Sequence, residues 1–259
     1  MSATRLAALK APATEAGCLL LVSHGIEGRP GVAAAHATAI RAAGIFAEVR
    51  VACVKGEPGL ADALAGAERP VTAVPLLMAD GFIMQLLRSR LAGTPGVELR
   101  RPVGTDPRVA RLIEARAVAS CTARGWTPAG STLLLVAHGT DRHLESAATA
   151  RRHARDLVAQ TGFADVRTAF LDQASFLTQE VLHLARRPCV AVGLFVDDGP
   201  HGRDDVLAGL AEAGVPVAYT GAIGGDPAFA DLIVAEARHG GERATAHENE
   251  LMASASIGP

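Results

Sequence analysis

Leu19-Leu20-Leu21-Val22-Ser23-His24-Gly25 returns later in the chain as Leu133-Leu134-Leu135-Val136-Ala137-His138-Gly139. Each stretch is an apolar run that ends in His-Gly, a pattern that predicts a buried β-strand followed by a turn. Two further short motifs recur in the same order. Asp80-Gly81 corresponds to Asp198-Gly199, and Asp106-Pro107 corresponds to Asp226-Pro227. The offsets, 138 − 24 = 114, 198 − 80 = 118 and 226 − 106 = 120, drift by only a few residues. The sequence therefore indicates a duplicated domain.

Within each half, short apolar segments alternate with Ala-rich helical segments in the order βαβαβαβα. This alternation predicts an α/β fold in which a parallel four-stranded sheet carries helices on both faces. We therefore predict two tandem homologous domains that face each other across a cleft. The predicted divisions of the chain are an N-terminal extension at 1–16, a first domain at 17–121, a linker at 122–130, a second domain at 131–240 and a flexible tail at 241–259.

Composition and charge exclude several classes of protein. The formal net charge is −2 and no basic block occurs, so we expect no nucleic-acid partner. No apolar run is long enough to span a bilayer, and the N-terminus lacks the apolar core of a signal peptide. We therefore expect a cytoplasmic protein without a membrane partner. The 4 cysteines form no Cys-x-x-Cys pair, and no glycine-rich nucleotide motif is present.

Three polar residues in the second half follow consecutive predicted strands. His138 ends the first strand, Asp172 ends the second, and His201 follows the third. Because the carboxyl ends of parallel strands lie at one edge of the sheet, we expect two imidazoles and a carboxylate to converge there. Imidazole suits divalent cobalt, nickel, zinc and ferrous iron, and three protein ligands leave coordination positions open. The sequence therefore predicts an open metal site for catalysis or transfer.

Each of these residues also has an ordinary structural interpretation. A His-Gly pair is a common turn, Asp172 can cap the next helix, and His201 can be a solvated loop residue. Their joint placement favours a shared site over three unrelated roles. Four other histidines lie in helical or polar surroundings, and we expect them to be solvated: His36, His143, His153 and His183.

The first half keeps the first of the three polar residues and replaces the others. His24 remains, whereas Lys55 occupies the place of Asp172, and Phe82 or a neighbour occupies the place of His201. Lysine is cationic at neutral pH and repels a metal ion, and an apolar side chain cannot bind one. We therefore predict that the first half is degenerate as a metal site. Phe82, Ile83 and Met84 form either an apolar wall for a large planar ligand or the start of a buried helix.

These motifs resemble those of the class II chelatases, the family of sirohydrochlorin cobaltochelatase and sirohydrochlorin ferrochelatase, in its long two-domain form. The resemblance rests on Val-Ser/Ala-His-Gly in each half, on Phe170-Leu171-Asp172, and on the run Asp197-Asp198-Gly199-Pro200-His201-Gly202-Arg203. It covers nearly the whole chain. The family usually has glutamate at the position of Asp172, so this residue departs from the pattern by one methylene.

The resemblance implies a lyase that inserts Co²⁺ or Fe²⁺ into sirohydrochlorin without ATP, in cobalamin or siroheme biosynthesis. His138 and His201 would bind the incoming metal and accept the pyrrole protons, and Asp172 would stand at the place of the metal-binding glutamate. The metal (Co²⁺, Fe²⁺ or Ni²⁺) is then a substrate, and we expect no permanently bound cofactor. The predicted substrate-binding residues are His24, Phe82, Met84, Arg142 and Arg203, with Arg29 and Arg88 as further partners for the tetrapyrrole carboxylates.

Two other functions fit the same residues. One is a carrier that binds a tetrapyrrole or a metal without catalysis, which the degenerate first half and the change at Asp172 favour. The other is an α/β isomerase or transferase that uses His138 as an acid–base group without metal. For each of these functions, we expect a monomer in which the fused halves form a pseudo-dimer, or a weak homo-oligomer.

Overall fold

The first half of the chain forms one parallel sheet of four strands in the order β2-β1-β3-β4. A computed structural model describes residues 15–141, 143–184 and 186–239. The strands of this sheet are β1 (Glu15–Ser23), β2 (Phe46–Cys53), β3 (Val71–Leu76) and β4 (Val97–Leu99). The helices that follow them are α1 (Val32–Ala43), α2 (Leu60–Leu64), α3 (Phe82–Leu91) and α4 (Val109–Thr122).

The second half repeats this arrangement with the parallel strand order β6-β5-β7-β8. Its strands are β5 (Thr132–Ala137), β6 (Asp165–Phe170), β7 (Cys189–Gly193) and β8 (Val217–Ala222). Its helices are α5 (Glu145–Gln160), α6 (Leu177–Glu180), α7 (Val206–Leu210) and α8 (Phe229–Arg238). A π-helical turn, Pro200–Asp205, leads directly into α7. The predicted fold of two tandem α/β domains is confirmed.

Alternation along the central strands divides the interior into three cores. Leu19 and Leu21 of β1 point into a core that also contains Leu133 and Leu135 of β5. The intervening side chains point the other way, because successive residues of a strand face opposite sides of the sheet. They fill one outer core in each half. The two sheets therefore share a single inner core, and each is covered separately on its outer face.

The inner core ties the halves together through their last helices. Helix α4 ends the first half and packs against β7 and β8 of the second sheet. Helix α8 ends the second half and packs against β3 and α1 of the first. Because the last helix of each half packs against the sheet of the other half, the two halves form one interlocked unit. None of the helices in the described ranges is long and apolar enough to cross a membrane.

Two buried histidines reinforce this contact with matching hydrogen bonds. Nε2 of His36 in α1 lies 2.7 Å from the carbonyl oxygen of Gly224, and Nε2 of His153 in α5 lies 2.8 Å from that of Gly104. Each bond joins one half to the other. The expectation that His36 and His153 are solvated is wrong, because both rings are buried in the inner core.

The termini extend beyond the described residues. Strand β1 begins at Glu15, so the last two residues of the segment predicted as an extension already belong to the sheet. The rest of that extension lies outside the described residues, and so does the segment predicted as a flexible tail at 241–259.

Candidate functional site

The structure brings His138 and His201 together at the carboxyl edge of the second sheet. His138 directly follows β5, and His201 is the second residue of the π-helical turn that follows β7. Their ring centroids are 4.8 Å apart, and the rings meet edge to face at 75°. His201 thus stands on a helical turn rather than in a loop. Two imidazoles from distant parts of the sequence share one small region.

Hydrogen bonds at Nδ1 define which nitrogen of each ring is available to a ligand. Nδ1 of His138 lies 2.8 Å from the carbonyl oxygen of Gly139, and Nδ1 of His201 lies 2.7 Å from Oδ2 of Asp205. A carbonyl or carboxylate oxygen can only accept, so in the neutral ring the proton resides on Nδ1. Nε2 of both histidines then keeps its lone pair. This is the tautomer that binds a metal through Nε2.

Asp172 lies beside the pair and not between its members. Oδ2 of Asp172 is 3.5 Å from Nδ1 of His138, and the carboxylate is largely exposed. Its backbone N–H donates to the carbonyl oxygen of His138 at 2.9 Å, which anchors the end of β6 to the end of β5. Within the described ranges, no group of three or more His, Cys, Asp or Glu side chains is arranged to hold a metal ion. The arrangement is a pair of imidazoles with a neighbouring carboxylate.

Two residues that the sequence analysis missed support these histidines. Asp205 orients His201 from one helical turn away, an i,i+4 relationship that the sequence His201-Gly-Arg-Asp-Asp205 displays. Gln173 is buried, and its Oε1 accepts the backbone N–H of Thr140 at 2.7 Å. A Cβ at Gly139 would lie 2.6 Å from Cγ of Gln173. The loop after His138 is therefore packed tightly against Gln173, a contact that leaves no spacing signal in the sequence.

The first half has the same backbone at this edge and different side chains. The backbone N–H of Lys55 donates to the carbonyl oxygen of His24 at 2.9 Å, as that of Asp172 does to His138. Lys55 therefore occupies the position of Asp172. Partial burial lowers the pKa of His24, and the charge of Lys55 lowers it further. The lowered pKa keeps the imidazole of His24 neutral, so it is the ammonium charge of Lys55 that opposes a metal ion at this edge.

Helix register identifies the residue that replaces His201. The carbonyl oxygen of Gly81 accepts from the N–H of Gln85, and that of Gly199 accepts from the N–H of Arg203. The hydrogen-bonded positions of the two helical turns therefore correspond with an offset of 118 residues, since 199 − 81 = 203 − 85 = 118. Ile83, a neighbour of Phe82, is thus the counterpart of His201.

The predicted substrate-binding residues differ in whether their side chains are exposed to a ligand. Phe82 is 54% exposed and stacks on His143 of the second half, with ring centroids 5.6 Å apart. Arg203 is exposed in the turn that carries His201. Met84 is buried in the outer core of the first half. Its side chain has no free surface for a ligand, so the prediction that Met84 binds the substrate is wrong.

The other arginines differ in their contacts. Both terminal nitrogens of Arg88 donate to the carboxylate of Asp80, which already satisfies this side chain. Arg29 is exposed in the tight turn that follows His24, where it exchanges backbone hydrogen bonds with Ile26. Arg142 lies outside the described residues.

Several known proteins are similar to this chain in sequence and in fold. The chain is 28% identical over 267 aligned positions to a probable sirohydrochlorin cobaltochelatase of Halobacterium salinarum, with 86% of this chain and 91% of that protein covered. Among solved structures, it matches CbiX, described as the terminal enzyme of siroheme biosynthesis in denitrifying bacteria, with 28% identity and a TM-score of 0.68. That match covers 84% of this chain and 96% of the other.

A second solved structure is longer than this chain. It is a multi-domain protein of Deinococcus radiodurans with structural similarity to chelatases and two additional domains, and the match has 26% identity and a TM-score of 0.72. The match covers 93% of this chain, which spans only 60% of the Deinococcus protein. The shared part is thus the chelatase-like part of the fold.

The family profile matches the chain twice. The CbiX profile covers residues 18–120 and again residues 132–239, one match for each half of the duplication. Both matches include the strand that ends in His-Gly, and the second includes Asp172 and His201. The resemblance drawn from the motifs is confirmed by the comparison. The chain belongs to the CbiX family, in its two-domain form.

Proposed function

We propose that this protein inserts a divalent metal into sirohydrochlorin without ATP, at a single site in the second half. The observation that supports the proposal most directly is the pair of imidazoles, His138 and His201, with ring centroids 4.8 Å apart and both Nδ1 atoms bonded to oxygen. The names of the relatives add the substrate: one is a probable sirohydrochlorin cobaltochelatase and another belongs to siroheme biosynthesis.

In the first step, the two imidazoles receive the metal. Their Nε2 lone pairs bind the ion, and only two or three protein ligands are offered, so further coordination positions stay open. The pyrrole nitrogens replace the imidazoles one at a time, which keeps the ion coordinated throughout. A closed four-ligand site would hold the ion too firmly for this exchange.

In the second step, the same groups accept protons. Insertion of M²⁺ into the macrocycle expels two N–H protons, and each imidazole that loses the metal has a free Nε2 to take one of them. The carboxylate of Asp205 stabilises the imidazolium of His201 through the bond at Nδ1. Asp172, with Oδ2 3.5 Å from Nδ1 of His138, stabilises the other imidazolium through its charge. One pair of histidines thus delivers one ion and removes two protons.

Asp172 completes the proposal as an accessory carboxylate. It is shorter than the glutamate that the family usually has, and its contact is with Nδ1 of His138 rather than with the face where the metal would bind. We therefore assign it to attracting the cation and supporting His138. It provides direct ligation only if its exposed side chain turns toward the ion.

The proposed metal is Co²⁺ or Fe²⁺, and the proposed pathway is cobalamin or siroheme biosynthesis. Imidazole nitrogen is a good ligand for both ions. The relatives support one ion each, since one is named for cobalt and another for siroheme, an iron tetrapyrrole. Ni²⁺ serves as the third ion in the test.

The test mixes the purified full-length protein with sirohydrochlorin and each ion, and follows metal insertion by absorbance. We expect acceleration over the metal-only reaction, and a loss of about a hundredfold or more in His138→Ala and His201→Ala, the size of a general acid–base contribution. His183→Ala, which removes an exposed imidazole far from the pair in sequence, is the matched control.

Two results would overturn the proposal. A wild-type protein that fails to exceed the metal-only rate is not a chelatase. If that protein nevertheless binds the tetrapyrrole or the metal, the carrier function takes its place. If activity survives in both histidine variants, the site has been assigned wrongly.

A further inference from the structure

The first half has Ile83 in the place of His201, yet it contacts the segment that carries His201 at two points. Residues 26–32 of the first half form a tight turn, closed by paired backbone hydrogen bonds between Ile26 and Arg29, and lead into α1. Residues 197–199 of the second half lie just before the π-helical turn that carries His201. These two segments meet through side chains of both halves.

The first contact is a helix cap that crosses between the halves. Oδ1 of Asp197 accepts the backbone N–H of Val32 at 2.6 Å, which satisfies one of the free donors at the start of α1. The start of a helix favours negative charge, so the carboxylate is held by charge as well as by the hydrogen bond. A Cβ at Gly31 would lie 2.3 Å from Oδ1 of Asp197. The fit is therefore too close for any residue but glycine.

The second contact is apolar. A Cβ at Gly199 would lie 2.9 Å from Cδ1 of Ile26, so the Ile26 side chain covers the residue that directly precedes the π-helical turn. Asp197 and Gly199 are thus both fixed from the first half. His201 follows Gly199 by two residues, and its backbone position depends on theirs.

The cap has no counterpart in the opposite direction. With the 118-residue offset of this segment, the position in the first half that matches Asp197 is Ala79, which has no side-chain acceptor. Among the described residues, the cross-half cap therefore supports the half that has kept both histidines and has no equivalent at the matching position of the other half. An accidental interface contact would have no reason to follow the catalytic asymmetry in this way.

We propose that Asp197 is a positioning residue for His201, and that the first half serves as the platform on which the His201 segment is held. This inference rests on the proposed function, because it assigns His201 to metal delivery. It gives the degenerate half a role in the reaction that requires no chemistry of its own. Asp197 acts through the backbone of residues 197–201 and does not touch the reacting atoms.

The test compares four single variants of the full-length protein: Asp197→Ala, Asp197→Asn, Gly31→Ala and Gly66→Ala. For each, Co²⁺ alone is titrated by its visible absorption, and kcat and KM are measured with sirohydrochlorin and Co²⁺. We expect Asp197→Ala to weaken Co²⁺ binding about tenfold and to lower kcat about tenfold, because small displacements of a ligand are costly. The KM for sirohydrochlorin should change less than about twofold, because Asp197 does not contact the reacting atoms.

The other variants separate positioning from simple damage. Asp197→Asn keeps an oxygen acceptor for Val32 N–H and should recover most of the loss. Gly31→Ala pushes on Asp197 and should match Asp197→Ala, although it changes only the first half. Gly66→Ala is its control: Gly66 lies outside residues 26–32 and has φ +61°, close to the +60° of Gly31, but a Cβ there meets nothing within 4 Å. It should behave as wild type.

A further control addresses general loosening of the interface. Nε of Arg238 donates to Oε1 of Glu15 at 2.5 Å, a contact between the halves at the amino end of β1, opposite the site. Glu15→Gln should leave Co²⁺ binding and kcat unchanged. Equal losses in Glu15→Gln and Asp197→Ala would overturn the inference, and so would wild-type Co²⁺ binding and kcat in Asp197→Ala. Equal losses in Gly66→Ala and Gly31→Ala would also overturn it.

The Co²⁺ titration keeps this test distinct from that of the proposed function. If the wild-type protein binds Co²⁺ but does not metallate sirohydrochlorin, the chelatase proposal fails while the titration still decides whether Asp197 positions His201. If the wild type shows no Co²⁺ signal at all, both proposals are overturned. The double variant Gly31→Ala/Asp197→Ala should be no worse than Asp197→Ala, because the carboxylate that the new Cβ strikes is gone.

Discussion

The carboxyl edges of the two sheets have the same backbone and opposite charge. In each half, the second residue after the second strand donates its N–H to the carbonyl oxygen of the histidine that follows the first strand. That residue is Lys55 in the first half and Asp172 in the second. The shared fold therefore does not by itself determine the charge at this edge. Both halves keep the same backbone here, and under the proposed function a few side chains decide which half binds the metal ion.

The largest expected effect comes from giving the second half the charge of the first. Asp172→Lys would place an ammonium group near His138, where it repels a divalent ion by about 3 kcal/mol at an intermediate dielectric constant. We expect Co²⁺ affinity and kcat/KM to fall about a hundredfold. Co²⁺ titration and initial rates measure both effects.

The charge-neutral and reciprocal variants complete this prediction. Asp172→Asn, which removes the carboxylate without adding a cation, should lose less than Asp172→Lys. Lys55→Asp should change the rate less than about twofold, because Ile83 still leaves the first half without a second imidazole. Equal losses in the lysine and asparagine variants at 172 would show that repulsion is not the cause.

A smaller effect is expected from the carboxylate that orients His201, a feature the first half lacks. Asp205→Asn weakens the 2.7 Å bond at Nδ1 and removes the charge that stabilises the imidazolium. Changes of this kind cost roughly tenfold to a hundredfold in metal affinity or activity, and we expect about tenfold, since the pair is exposed. Co²⁺ titration and initial rates measure the loss. Asp204→Asn, the neighbouring exposed position, should stay within twofold of wild type.

The sequence predicted the elements that depend on local pattern and repetition. The strand before each His-Gly, the parallel topology and the convergence of His138 with His201 follow from alternation and from the edge rule for parallel sheets. The partner of His201 was also within reach, because Asp205 stands at the i,i+4 spacing of a helical turn. His201 was predicted to follow the third strand and was not assigned to a helical turn, so this spacing was not recognised.

Contacts between the halves could not be predicted in the same way. His36 meets Gly224 and Asp197 meets Val32 across separations of 188 and 165 residues. Nothing in the local sequence marks such partners, and a histidine on an Ala-rich helix is equally compatible with water. The exchange of the last helices, which buries these histidines, is a property of the whole fold. The local sequence pattern therefore predicted where His138 and His201 lie, but not the contacts between the two halves.

The two buried histidines make a prediction about pH. Burial is the main cause that lowers the pKa of His36 and of His153. Nδ1 of His153 is buried without a hydrogen-bond partner among the described residues, so a proton added there would be an unpaired charge. The unfolded chain takes up protons near pH 6.5, whereas the folded protein takes them up only at lower pH. Stability is therefore fully present above this value and declines as the pH falls below it.

The measurement is urea unfolding at pH 7.5 and at pH 5.5. Each histidine contributes a slope of at most about 1.4 kcal/mol per pH unit between its folded pKa and 6.5. His36→Gln/His153→Gln keeps an N–H donor at each position but does not titrate, so the double variant should depend less on pH than wild type. His183→Gln, at an exposed histidine, should keep the wild-type slope. Parallel slopes in wild type and the double variant would contradict the prediction.

The smallest expected effect tests whether the first half also contacts the substrate. Phe82 is exposed and stacks on His143 of the second half, so its ring bridges the two halves near the loops of both sheets. A ring that offers its face to a planar tetrapyrrole contributes about 0.5–1.5 kcal/mol. We expect Phe82→Ala to raise the KM for sirohydrochlorin about threefold with little change in kcat, which is the mark of uniform binding.

Steady-state kinetics at fixed Co²⁺ separate these two constants, and Val158→Ala is the control, since Val158 is an exposed apolar residue on helix α5. A fall in kcat with unchanged KM would place Phe82 with Asp197, as support for the catalytic segment. A rise in KM alone would give the first half a second role, as a binding surface that contributes no metal ligand. The measurement therefore distinguishes two roles of the first half: binding the substrate, and holding the segment that carries His201.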